Sequence, residues 1–126
     1  MADPVTFALV LLFLLQVKHL FADFFFQTPR MLRDRSRYVH VGRAQHAGLH
    51  ALGSVLAMML VGVSLAPLVL IAALEWVAHY HIDWGKGRWS DHIGHGPDDA
   101  GYWRAFGFDQ ALHQWTYLVM VWAALP

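Results

Sequence analysis

The chain alternates long apolar runs with shorter polar ones, and the apolar runs are nearly all of one length. Residues 4–27 read "VTFALVLLFLLQV" and then "KHLFADFFFQ", and 46–65 read "HAGLHALGSVLAMMLVGVSL". Residues 67–84 open with "PLVLIAALEWVA" and close with "HYHIDW", and 108–125 read "FDQALHQWTYLVMVWAAL". A helix of about 20 residues, rising about 1.5 Å per residue, reaches across a bilayer core of about 30 Å. The four runs therefore predict four helices, with connections over 28–45 and 85–107. Pro4 suits the first turn of its helix. Pro67 is expected to break the chain in a tight turn between the second and third helices. The expected fold is all-α: one transmembrane domain over 1–126, an antiparallel four-helix bundle with a polar cytoplasmic end. A soluble bundle is the alternative, but the outer faces of 46–65 and 67–84 offer water almost no charge. The first run lacks the basic start and small-residue end of a secretory signal, so it is expected to be a retained helix.

The polar residues inside these runs share a spacing. His19 and Asp23, His46 and His50, His79 and Asp83, and Asp109 and His113 each stand four apart. Each pair thus lies on one face of its helix. In an up-down bundle all four pairs fall at the same end, because they sit late in the first and third helices and early in the second and fourth. A single His–Asp pair reads as a local hydrogen bond; four at one level point to convergence. Polar groups at membrane depth are costly unless they face the bundle interior and find partners.

Composition sharpens this picture. There is no cysteine, which excludes disulfides and thiolate metal sites, while nine histidines accompany a single glutamate, Glu75. Neutral imidazole is a common metal ligand. Divalent metal is the expected cofactor: zinc, or iron or manganese, as two ions sharing the eight residues of the four pairs. The three aspartates and one bridging hydroxide would balance two divalent ions. Protonated histidines that neutralise the aspartates without metal are the alternative. The formal net charge is zero, so no field attracts nucleic acid.

Arg30, Arg33, Arg35, Arg37 and Arg43 lie in the first connection, and Lys86, Arg88 and Arg104 in the second. The positive-inside rule places both connections in the cytoplasm and both termini outside a bacterial inner membrane. The arginine-rich connection is expected to contact membrane lipid. Lys86, three residues after Asp83, is expected either to snorkel or to clamp an anionic substrate. Glu75, one turn before His79, is a candidate general base. Gln27, Gln45, Gln110 and Gln114 are candidate hydrogen-bond partners of the ligands. Residues 87–108 read as a flexible solvated loop, and its "DHIGH" as a candidate second metal tract.

"HLFADFFFQ", "HAGLHAL", "HYHIDWGKGR" and "DQALHQ" together resemble the motifs of a small uncharacterised family of bacterial and phage multi-span membrane proteins, classed as a domain of unknown function. The resemblance implies several membrane spans and no established activity. His-x-x-x-Asp on membrane helices is also similar, more distantly, to inner-membrane proteins described as metal-dependent hydrolases. The expected function is a membrane-embedded metal-dependent hydrolase acting on a lipid-linked or amphiphilic phosphoester. The alternatives are a metal-binding protein, a haem or redox protein using His46, His50, His79 and His113, and a non-enzymatic membrane interaction module.

Overall fold

Among residues 3–126, which the computed structural model describes, every regular element is a helix: α1 Pro4–Phe24, α2 Pro29–Leu32, α3 Val41–Leu60, α4 Leu65–Ile93 and α5 Ala100–Ala124. The all-α expectation holds. At the start of α1 the Asp3 side chain accepts from the amides of Val5 and Thr6, and Pro4 occupies the first turn, where a missing N–H is harmless. The Thr6 hydroxyl and amide hold the Asp3 carboxyl below its ordinary range.

The helix boundaries differ from expectation in three places. Pro67 does not break the chain. It is the third residue of α4, within the first turn, and the turn itself is made earlier, at Val61–Ser64, with Gly62 at φ 84°. Helix α3 begins at Val41 because the His40 side chain caps it, accepting from the Arg43 amide at 2.7 Å. The supposed loop after Trp84 is largely helical. Helix α4 continues to Ile93, ends on the left-handed Gly94, and α5 resumes at Ala100. The glycines of "GKG" that suggested a loop include one that permits a close approach. A Cβ on Gly87 would stand 2.5 Å from the carbonyl oxygen of Arg35, where the strap between α1 and α3 crosses α4. Gly87→Ala must displace backbone, and we expect it to cost about 1–3 kcal/mol in reversible detergent unfolding, with Gly85→Ala near neutral as the control. Gly85 meets nothing within 4 Å.

Helices α1, α3, α4 and α5 form a ring in which each packs on its neighbours in sequence and α5 closes back on α1. Neighbours run antiparallel: Gln16 meets Gln114 and His19 meets Gln110 across α1 and α5, and Asp23 meets His46 across α1 and α3. One half of the ring is a hydrocarbon core containing Phe7, Leu11, Leu15, Met58, Leu68, Tyr117 and Met120. The other half carries the buried polar residues. The strap is pinned there by Arg43. The residue is 2% exposed, and its guanidinium donates to the carbonyls of Arg35, Arg37 and Tyr38. Arg43 is therefore a staple of the fold rather than a lipid contact.

Only α1 and α4 are, by length and composition, apolar enough to cross a membrane among the described residues. The four-span expectation is thus met by two helices. In α3 and α5 the polar half occupies too much of the helix: α3 opens with Arg43, Gln45, His46 and His50, and α5 with Arg104, Asp109, Gln110 and His113. The outward surface is apolar all the same. Leu9, Phe13, Leu56, Met59, Leu70, Leu74, Leu118 and Val119 are exposed on the four long helices.

Candidate metal centre

The periodicity of each helix delivers its polar pair to the ring's interior, and the antiparallel order brings the pairs together. Asp23 is the first junction. Its Oδ1 lies 2.8 Å from His50 Nε2 and 3.1 Å from His46 Nε2, and its Oδ2 lies 3.3 Å from His19 Nε2. Asp83 is the second. Its Oδ1 lies 3.3 Å from His113 Nε2, and its Oδ2 lies 3.3 Å from His79 Nε2 and 3.7 Å from His46 Nε2. Two groups result. Asp23, His46, His50 and His79 each offer a ligand atom within 4.8 Å of the others, and so do His79, Asp83 and His113. Asp83 reaches residues of both.

These contacts are mostly not hydrogen bonds. Among the histidine–aspartate contacts only His50 to Asp23 has hydrogen-bond geometry. His79 Nε2 is buried with no hydrogen-bond partner even though Asp83 Oδ2 is 3.3 Å away, and Asp109 Oδ1 is likewise orphaned. Ligands about 2.0–2.1 Å from one tetrahedral ion stand about 3.3 Å apart. Several of the nitrogen–oxygen separations match that edge better than they match a hydrogen bond, so the donor set fits a shared cation. The imidazoles are also crowded, with ring centroids 4.0 Å apart for His50 and His79 and 4.2 Å for His79 and His113.

Not all eight expected residues stand alike. His19 has both ring nitrogens engaged, Nδ1 with the Tyr117 hydroxyl at 2.9 Å and Nε2 with Gln110 Oε1 at 2.9 Å, so its contact with Asp23 orients that carboxylate. Asp109 lies at the margin, 3.5 Å from His113 Nε2, with its Oδ2 3.6 Å from Lys86 Nζ. Glu75 is buried deeper, in an ion pair with Lys18. Lys18 also reaches Nδ1 and the carbonyl of His50, each at 3.2 Å, and sits over the Tyr117 ring. The Gln27 amide nitrogen stands 3.4 Å from His46 Nε2. Asp91, His92 and His95 join neither group.

Lys18 and Tyr117 were missed from sequence. Lys18 precedes His19 and so is off the face of the His19/Asp23 pair. Asking which cation at the same depth could pair a lone buried Glu75 would have found it. With Lys18 on Glu75 and Lys86 on Asp109, the carboxylates left with imidazole partners alone are Asp23 and Asp83.

No curated protein and no solved structure matches this chain. A family described as a protein of unknown function, DUF3307, matches residues 11–125. That stretch includes all four long helices at least in large part, both lysine pairs, and every histidine and aspartate of the two groups. The chain belongs to this uncharacterised family.

Proposed function

We propose that this chain is a membrane-embedded, metal-dependent hydrolase, with a dinuclear His/Asp centre at the bundle end that faces the cytoplasm of a bacterial inner membrane. The observation that carries the reading is the set of converging, buried donor atoms whose spacings suit shared ions better than hydrogen bonds. Asp83 would serve both donor groups, with its Oδ1 facing His113 and its Oδ2 facing His79 and His46. His19 and Gln110 orient, and Glu75 belongs to a pair that supports the centre from beneath. The protonated-histidine alternative is limited by repulsion between neighbouring rings. Two imidazolium charges about 4 Å apart repel by about 4 kcal/mol at an effective dielectric of 20, and His79 has such neighbours on both sides. Haem is disfavoured because the imidazoles pack on one another, leaving no gap for a macrocycle between facing pairs.

Divalent ions held here would lower the pKa of water and polarise a scissile bond. The membrane part of the reading rests on the two helices long and apolar enough to span a bilayer and on the many large apolar side chains exposed on all four long helices. It rests also on the Arg and Lys residues gathered at the polar end, which by the positive-inside rule favour an orientation with both termini outside. Elemental analysis of the detergent-purified protein is expected to find about two zinc, iron or manganese ions per chain. Asp23→Ala is expected to remove most of them, whereas His19→Ala, which removes an orienting group, lowers affinity only about 10–100-fold. The metal-loaded protein should hydrolyse a chromogenic aryl phosphoester. A folded, metal-free wild type would end the metal reading, and a metal-replete protein without turnover would leave a metal-binding protein.

A further inference from the structure

A cleft opens beside the metal centre, between the C-terminal extension of α4 and the N-terminal half of α5. Its volume is about 740 Å³, within the range of small-molecule sites, which are about 300–1,000 Å³. Two cations line it, Lys86 and Arg104, together with Asp109, and its walls include Trp89, Phe108 and Leu112. Asp109 belongs to both places: it lines the cleft and contacts His113 of the centre at 3.5 Å. Arg104 is exposed, and its side chain makes no hydrogen bond or ion pair among the described residues.

Charge decides what fits. Asp23 and Asp83 are the carboxylates of the centre without a lysine partner, so two divalent ions there leave an excess of positive charge. Arg104 at the cleft adds to it, while the charge of Lys86 is met by Asp109. The walls, by contrast, are hydrocarbon and indole. We propose that the cleft binds a single-chain amphiphile that carries a phosphate monoester head. The head lies toward Lys86, Arg104 and the metal centre, and the tail runs along Trp89, Phe108 and Leu112. The assignment names the substrate class of the hydrolase proposed above and rests on that reading. Hydrolysis would form a bond from the water oxygen to phosphorus and break the bond from phosphorus to the alkyl oxygen. The alkyl oxygen leaves with one proton of the water, giving an alcohol and inorganic phosphate.

The test separates binding from turnover. Binding of hexadecylphosphonate, whose C–P bond resists hydrolysis, is measured by calorimetry on the metal-loaded full chain in maltoside micelles, which carry no phosphate. We expect Arg104→Gln, and separately Leu112→Trp, which fills the cleft, to weaken binding about tenfold each, with metal content unchanged. Inorganic phosphate and hexadecyltrimethylammonium should compete poorly. Equal affinity in wild type and both variants would overturn the cleft assignment. So would inorganic phosphate competing as well as the phosphonate, which would mean a site for phosphate alone. Phosphate release from hexadecyl phosphate is followed in parallel. Binding that obeys the variants without release sinks the hydrolase and keeps the site. Release with variant-independent binding sinks the site and keeps the hydrolase.

Discussion

Replacing Asp83 by alanine is expected to empty most of the metal centre. The carboxylate contacts three histidines from three helices, His46 on α3, His79 on α4 and His113 on α5. Its removal takes away the carboxylate of one donor group together with its contact to His46 of the other, and leaves three crowded imidazoles facing each other. Loss of residues that merely orient a ligand costs about 10–100-fold in metal affinity, so loss of a ligand that serves both groups should exceed a hundredfold. The proposed metal content should fall from about two ions to well below one per chain, and the proposed hydrolysis should fall with it. Asp83→Asn keeps the shape and one acceptor oxygen while removing the charge, and it should behave nearly as badly if charge is what matters. Wild-type metal content in a folded Asp83→Ala protein would contradict the proposed role of Asp83.

The second large effect concerns stability. Lys18→Met should cost about 3–5 kcal/mol, the penalty for breaking a buried ion pair by removing one partner. The side chains of Lys18 and Glu75 are 8% and 1% exposed, so the surviving carboxylate cannot reach bulk water without rearrangement. Removing both charges, as in Lys18→Met with Glu75→Leu, should restore most of the loss, because a buried pair replaced by packed hydrocarbon is often neutral. Equilibrium unfolding in mixed detergent micelles measures both. If the double variant is as unstable as the single one, the lysine matters through His50 and Tyr117, which it also contacts. Retention of full stability in Lys18→Met would show that the pair carries no weight.

Some of this was readable along the chain, and the reasons differ by residue. The i,i+4 pairs were legible because helical periodicity places such residues on one face whatever the surroundings. Their convergence on one end followed from the up-down order expected of successive spanning helices. What failed to read was anything that depended on a neighbour out of register. Pro67 looked like a break but sits where a helix tolerates it. Gly87 looked like a loop residue but marks the crossing of the strap over α4. Lys18 drew no attention along the chain and proved to be the partner of Glu75, 57 positions away.

Four long helices, an apolar half and a polar half in each, and membership of the family are carried by the order of residues alone. Those properties depend on local periodicity and composition, which a chain carries with it into any fold. How the polar residues divide the work emerges from helix packing: Asp23 and Asp83 at the junctions, His19 turned to Tyr117 and Gln110, Glu75 and Asp109 taken up by lysines, and a cleft beside them. That division depends on ångström-scale side-chain distances between helices, which hydrophobic patterning constrains in depth but not in rotation or partner.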